Sequence, residues 1–218
     1  MDGTLVDTEH CWGVAEVEVM QWLGHPHWTQ EQQAHALGGP LLRVARIMKD
    51  ASGSDRPAEE IVDYLVGRMV DLLSHGSDHR PGAEALLDDL YAHGVPCALV
   101  SSSPRVIMDA ALASVGASHF AFTLAGDEVP RPKPAPDPYV IACERLGVDV
   151  ARTIVLEDSP VGIAAAEAAG CLVVAVPFSV PIGPAPRRHV VASLTELDTD
   201  RLRALVADDL AAAGLAGG

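Results

Sequence analysis

The chain has 218 residues, 49% hydrophobic but only 4% aromatic, so a sizeable core must be built from Ala, Val, Leu and Ile. That length suits one domain carrying an insertion, or two small ones. A formal charge of −15 argues against nucleic acid and anionic membrane as partners, because phosphates would be repelled overall. No apolar run reaches the roughly 18 residues of a membrane span. The opening Met1-Asp2-Gly3-Thr4 lacks the basic start and apolar stretch of a signal peptide. Cys11, Cys97, Cys143 and Cys171 show no metal-binding spacing and read as reduced thiols of a cytoplasmic protein.

From about Cys11 to Gly76 the pattern is helical. Val14 to Leu23 and Leu41 to Lys49 are candidate helices, separated by the breakers His25-Pro26-His27 and Gly38-Gly39-Pro40. The strongest segment is Pro57 to Leu73, where Ile61, Leu65, Met69 and Leu72 recur at helical spacing. From Arg80 onward short apolar runs alternate with helices. Pro81 to His93 is a helix closed by Gly94, Val95 to Val100 a buried strand, and Pro104 to Val115 a helix closed by Gly116. A strand near Phe120 to Leu124 follows. Asp137-Pro138 opens a helix, with Asp137 as its cap. Thr153 to Leu156 reads as a strand, Pro160 to Ala169 as a helix ending at Gly170, and Leu172 to Val176 as another strand. Alternation of this kind implies a parallel sheet covered by helices on both faces, with its chemistry at the carboxyl ends of strands. The Ala- and Gly-rich stretch from Ala211 to Gly218 reads as frayed.

Four polar motifs stand at such ends: Met1-Asp2-Gly3-Thr4-Leu5-Val6-Asp7-Thr8-Glu9, Ser101-Ser102-Ser103, Lys133 within Arg131-Pro132-Lys133-Pro134, and Glu157-Asp158. Taken singly, each has a plain structural reading. A Glu-Asp pair is usually a solvated turn, a lysine a solvated loop residue, and a serine a cap. Glu157-Asp158, set after an apolar strand and before a helix, is better read as a pair of oxygen ligands of the kind Mg²⁺ prefers. The prolines around Lys133 restrict its backbone and lower the entropy lost on ordering it.

In their order these motifs resemble the four signature motifs of the haloacid dehalogenase superfamily, over essentially the whole chain. The similarity is greatest to the branch of β-phosphoglucomutase and small sugar-phosphate phosphatases. The resemblance implies a Rossmann-like α/β core formed by residues 1–11 and 79–218, with an inserted helical cap at residues 12–78. It implies a Mg²⁺-dependent phosphatase acting on a small phosphorylated metabolite, as a monomer or weak homodimer. It makes Asp2 the general acid and base, with its carbonyl on the metal beside Glu157 and Asp158. It gives Gly3, Thr4, Ser101, Ser102 and Lys133 to the phosphate, the Ser101 hydroxyl and Ser102 N–H as donors and Lys133 as a fixed positive charge.

The family's attacking aspartate lies two positions before Asp2, which places it just ahead of Met1. The first core strand, which leads into that position, is expected to be missing as well, and the chain as numbered to be inactive. An upstream start of the natural protein is the favoured explanation. A mutase is the neighbouring alternative, weakened by Leu41 where a Gly-x-x-Arg cap loop would carry arginine. A pseudoenzyme that binds phosphate or a partner is the alternative of another class. The pair His25 and His27 reads as solvated loop histidines and the cap residues Arg43 and Arg46 as exposed helix charges, while Asp7 and Glu9, at the hinge into the cap, stand either near the substrate, as in the family, or as caps of the first helix.

Overall fold

The structure, a computed structural model, describes residues 1–25, 27–29, 31–33 and 40–212. Three helices fill the first third: α1 (Glu9–Trp22), α2 (Leu41–Ser52) and α3 (Ala58–Ser74). In α3, Ile61, Leu65, Met69 and Leu73 lie four residues apart and are fully buried, a stripe that meets Val19 and Met20 of α1 and Met48 of α2. α1 begins five residues earlier than the apolar pattern suggests, with Glu9 in its first turn favoured by the helix dipole, while the hydroxyl of Thr8 at the N-cap position is turned to Asp2 instead of the helix. Pro40 caps α2 at its start and Gly53 ends it in the left-handed conformation, while Gly38 and Gly39 lie outside the described residues. Among the described residues no helix is long and apolar enough to cross a membrane.

The chain enters and leaves this helical cap through two short strands, β1 (Val6–Asp7) and β2 (Asp78–His79), which pair antiparallel. The α/β region then runs α4 (Ala83–Ala92), β3 (Ala98–Val100), α5 (Arg105–Val115), β4 (Phe122–Leu124), α6 (Asp137–Leu146), β5 (Ile154–Glu157), α7 (Pro160–Ala169), β6 (Leu172–Ala175), β7 (Arg188–Val190) and α8 (Thr199–Ala212). Asp137 is not the cap of α6. Pro136 takes that place and Asp137 is the first helical residue, where its carboxylate pairs with Arg131 at 2.9 Å. Residues 213–218 lie outside the described part of the chain, so the frayed end expected there is not described.

The strands form two parallel sheets. β3 pairs with β4, while β5, β6 and β7 pair in that order. Among the described residues the inner strands β3 and β5 are each paired on their outer side only. Between them lies a cavity of about 780 Å³, walled by residues 96–100 and 153–156 and covered by side chains of α4, α6 and α8. Met1 and Thr4 also line it. This is a Rossmann-like arrangement with a helical cap.

Candidate active site

The first five residues make a tight loop. Leu5 donates its N–H to the Met1 carbonyl (2.8 Å) and Gly3 donates to Val6 (2.9 Å). Gly3 has φ +71°, and a Cβ there would stand 2.3 Å from Asp158 Oδ2, so the backbone abuts that carboxylate and only glycine fits. The loop reaches both sheets. Asp2 accepts the Ser103 hydroxyl at 2.8 Å and the Ser101 hydroxyl at 3.5 Å on the β3 side, and the Thr8 hydroxyl at 2.7 Å. On the β5 side, Thr4 donates to Asp158 at 2.5 Å.

Lys133 joins the same two sheets from a loop between them. Its ammonium donates to Glu157 Oε1 at 2.6 Å and to the Val100 carbonyl at 3.3 Å, and lies 4.7 Å from the Tyr139 ring centroid. Tyr139, buried on α6, also donates to Glu157 Oε1, at 2.7 Å. The second oxygen of Glu157 accepts the Ser159 hydroxyl at 3.0 Å and the backbone N–H groups of Asp158 and Ser159, both at 3.2 Å. Burial pushes the Glu157 carboxyl up, but the charge of Lys133 and the hydrogen bonds from Lys133 and Tyr139 hold it down at about 2. Burial raises the Asp158 carboxyl and the Glu157 charge adds to that rise, whereas the Thr4 hydroxyl opposes it. Burial pushes the Tyr139 phenol well above its ordinary value, and the neighbouring Glu157 charge adds to this.

Asp2, Gly3, Thr4, Ser101, Lys133, Glu157 and Asp158 thus meet at the carboxyl ends of β3 and β5. Ser102 stands apart: it is exposed, and its carbonyl carbon and oxygen face Gly126 so closely that a Cβ there would lie 2.2 Å from the oxygen. Glu157 sits with Lys133 and Tyr139, and both its oxygens are engaged. Asp158 and the main-chain carbonyl of Asp2 are therefore the freer oxygen donors for a metal. These donors fit Mg²⁺, which selects carboxylates and carbonyls. A buried carboxyl raised by its surroundings is also one that a cation would return to its charged form. Among the described residues no three His, Cys, Asp or Glu side chains converge as a ready cage.

Three contributors escaped the sequence reading: Thr8, Ser103 and Tyr139. The serine run hinted at Ser103. Nothing local marks Thr8 or Tyr139, whose hydroxyls acquire their roles from residues 6 and 18 positions away.

The model of the haloacid dehalogenase-like hydrolase family matches residues 1–176. The chain is 33% identical over 175 residues to a fructose-1-phosphate phosphatase of Escherichia coli, covering 78% of this chain and 89% of that protein. It is 31% identical over 187 residues to a phosphoglycolate phosphatase of Neisseria meningitidis, covering 82% and 78%. Its fold is similar to that of the CbbY protein of Rhodobacter sphaeroides, solved with phosphate, at a TM-score of 0.78 and 27% identity over 90% of this chain and 93% of that one. With the motifs joined at one strand-end cleft and the family model spanning both cap and core, the chain belongs to the haloacid dehalogenase-like hydrolases.

Proposed function

We propose that this protein is a Mg²⁺-dependent phosphatase that hydrolyses a small phosphomonoester, a sugar phosphate or similar metabolite, through an aspartyl-phosphate. The observation that carries the reading is the convergence of Asp2, Lys133 and Asp158, from three distant segments, on the gap between β3 and β5. The phosphatase relatives in Escherichia coli and Neisseria meningitidis support the same class of substrate. Residues 12–78 are taken as the cap that closes over the substrate and excludes water.

The attacking group of the proposed mechanism is the family's nucleophilic aspartate, which precedes by two positions the residue that Asp2 matches. Its carboxylate oxygen bonds to phosphorus while the bond from phosphorus to the ester oxygen breaks, and Asp2 gives that oxygen its proton. Asp2 then takes a proton from water. The water oxygen bonds to phosphorus, the acyl-phosphate bond breaks, and inorganic phosphate leaves with the aspartate restored. Lys133, with Glu157 and Tyr139 behind it, holds a positive charge against the phosphate throughout. The Ser101 hydroxyl donates to a phosphate oxygen. Mg²⁺, held by Asp158 and the Asp2 carbonyl, would supply further neutralising charge when bound.

The test extends the chain before Met1 by an apolar strand ending in aspartate and follows p-nitrophenyl phosphate hydrolysis. Turnover should require Mg²⁺ and vanish with EDTA or in Asp158→Ala. Activity that survives both treatments would sink the mechanism.

A further inference from the structure

We propose that Phe178 and Arg80 are positioning residues for the metal, which together clamp the Asp2–Gly3 backbone against the Asp158 carboxylate. The inference rests on the reading that Asp158 and the Asp2 carbonyl hold Mg²⁺, and adds the groups that keep those two oxygens in place. Phe178 lies in the loop after β6 and Arg80 directly after β2, so neither belongs to the four motifs. Both are half-buried.

Gly3 has no side chain of its own to fix it. The point where a Cβ would stand has two neighbours instead, Asp158 Oδ2 at 2.3 Å and Phe178 Cδ1 at 3.2 Å. The ring therefore packs on the bare backbone of Gly3 beside the carboxylate. The other carboxylate oxygen, Oδ1, accepts the Thr4 hydroxyl at 2.5 Å. Asp158 is thus tied at one oxygen by a hydrogen bond and bounded at the other by Gly3 and the ring. Phe178 is held in turn, because the Arg80 guanidinium carbon lies 3.9 Å from its ring centroid. Arg80 also donates its backbone N–H to the Leu5 carbonyl at 2.8 Å. Contacts accordingly run from Leu5 through Arg80 and Phe178 back to Gly3, and close on the loop that carries the Asp2 carbonyl. Beside Phe178, the Ser179 hydroxyl donates to Glu9 at the start of α1 and fixes the same loop to the cap.

Two physical points favour this role over simple packing. Mg²⁺ demands near-ideal geometry and gives up its waters reluctantly, so oxygens already in place bind it better than oxygens that must be gathered. The second point is the use made of the guanidinium. The chain has 30 acidic and 15 basic residues, and Arg68, Arg105, Arg187 and Arg188 each pair with an acid. Among the described residues Arg80 has no carboxylate partner; its guanidinium lies on the Phe178 ring. A positive charge in this place also repels a cation, and that separates the two effects it can have. If Arg80 acts as a clamp, its removal weakens metal binding. If repulsion is its main effect, its removal strengthens binding.

The experiment titrates the full chain with Mn²⁺, an ion of the same ligand preference, and follows the loss of the free-ion paramagnetic resonance signal. The specific site is the part of the binding that Mg²⁺ displaces and Asp158→Ala removes. There Phe178→Ala should weaken binding about tenfold or more, as expected of a group that orients metal ligands. Phe178→Tyr keeps the ring and should bind as the native chain does. Arg80→Ala should weaken binding about threefold, and Arg80→Lys by less, because a stacked cation adds little at a half-exposed ring. Phe122→Ala is the control. Its ring carries Arg145 at the same 3.9 Å, but at the amino end of β4, so its loss should leave Mn²⁺ affinity unchanged whatever it does to stability. Native affinity in Phe178→Ala, or tighter binding in Arg80→Ala, would overturn the proposal. So would equal weakening by Phe122→Ala, which would trace the effect to a loosened fold. Should Asp158→Ala bind Mn²⁺ as the native chain does, the metal reading itself fails and takes this inference with it.

Discussion

The helical cap and the α/β region are built from the same aliphatic side chains, yet they close differently. In the cap, Met20, Met48, Ile61, Leu65, Met69 and Leu73 have no exposed surface. Each helix satisfies its own backbone, so three helices need only match their apolar stripes. A strand depends on its neighbours for hydrogen bonds as well as packing, and among the described residues β3 and β5 each have a neighbour on one side. The apolar material left over lines a cavity rather than filling a core. What ties the two sheets together at that place is polar: Lys133 between Val100 and Glu157, and the loop from Asp2 to Thr4. The chemistry of the site and the closure of the fold therefore use the same residues.

The sharpest way to test that statement is to remove chemistry without removing closure. In the strand-extended chain, Asp2→Asn keeps one oxygen that accepts the Thr8 or the Ser103 hydroxyl and offers an N–H to the oxygen of the other, but it cannot cycle a proton. We expect kcat for p-nitrophenyl phosphate to fall about 10²- to 10⁴-fold, with the urea midpoint almost unchanged. A comparable loss of stability would mean that Asp2 serves the fold first.

Next in size are paired truncations. Leu65→Ala in the cap should cost about 2–5 kcal/mol, because its neighbours on α1 and α2 cannot collapse into the space. Leu156→Ala, half-buried on the cavity wall, should cost about 1 kcal/mol, since it has fewer atoms to lose contact with. Equal costs from urea denaturation would show that the cavity is filled in solution. A third comparison uses one substitution in two helices. Gly162, inside α7, has no room for a methyl group: a Cβ would stand 2.0 Å from Glu157 Oε1. Gly162→Ala should therefore cost about 1–3 kcal/mol and disturb the Lys133 pair. Gly67, exposed inside α3, meets nothing within 4 Å, and Gly67→Ala should stabilise by about 0.5–1 kcal/mol.

What could be read in the sequence follows the same division. α3 and α7 were legible almost to the residue, because periodicity, Pro160 and Gly170 are local signals. Ser101-Ser102-Ser103 and Glu157-Asp158 were legible through their places after apolar runs, the Lys133 segment through its prolines, and the opening Asp2-Gly3-Thr4 through its resemblance to the family motif. β7 and α8 were not, since exposed strand residues and an acidic helix carry little apolar pattern. The β1–β2 pair is two residues long on each side and exists only through its partner. Within the site, the engagement of Glu157 by Lys133 and Tyr139 depends on α6 docking against β5. No spacing in the chain encodes that.

The smallest expected effect concerns how α4, one cover of the cavity, is held to the β3–β4 sheet. His119, just before β4, places Nε2 2.9 Å from Asp88 Oδ1 of α4 and Nδ1 3.3 Å from the Gly116 carbonyl. Both partners accept, so both ring nitrogens act as donors, which only the imidazolium can do. The Asp88 hydrogen bond accordingly raises the His119 pKa above its usual value, against a smaller opposing effect of burial. A folded pKa above the unfolded one makes this a stabilisation fully present below about pH 6.5, and lost as pH rises through the raised value. Asp88 is largely exposed, so screening limits the gain to about 0.2–1 kcal/mol. Unfolding free energies from urea denaturation at pH 6 and pH 9 should include a difference of that size in the native chain, and a smaller one in His119→Gln, which keeps a donor but not the charge. An unchanged difference in the variant would assign the pH dependence elsewhere. The cover of the cavity would then rest on the α4 leucines alone, as the cap rests on its apolar stripes.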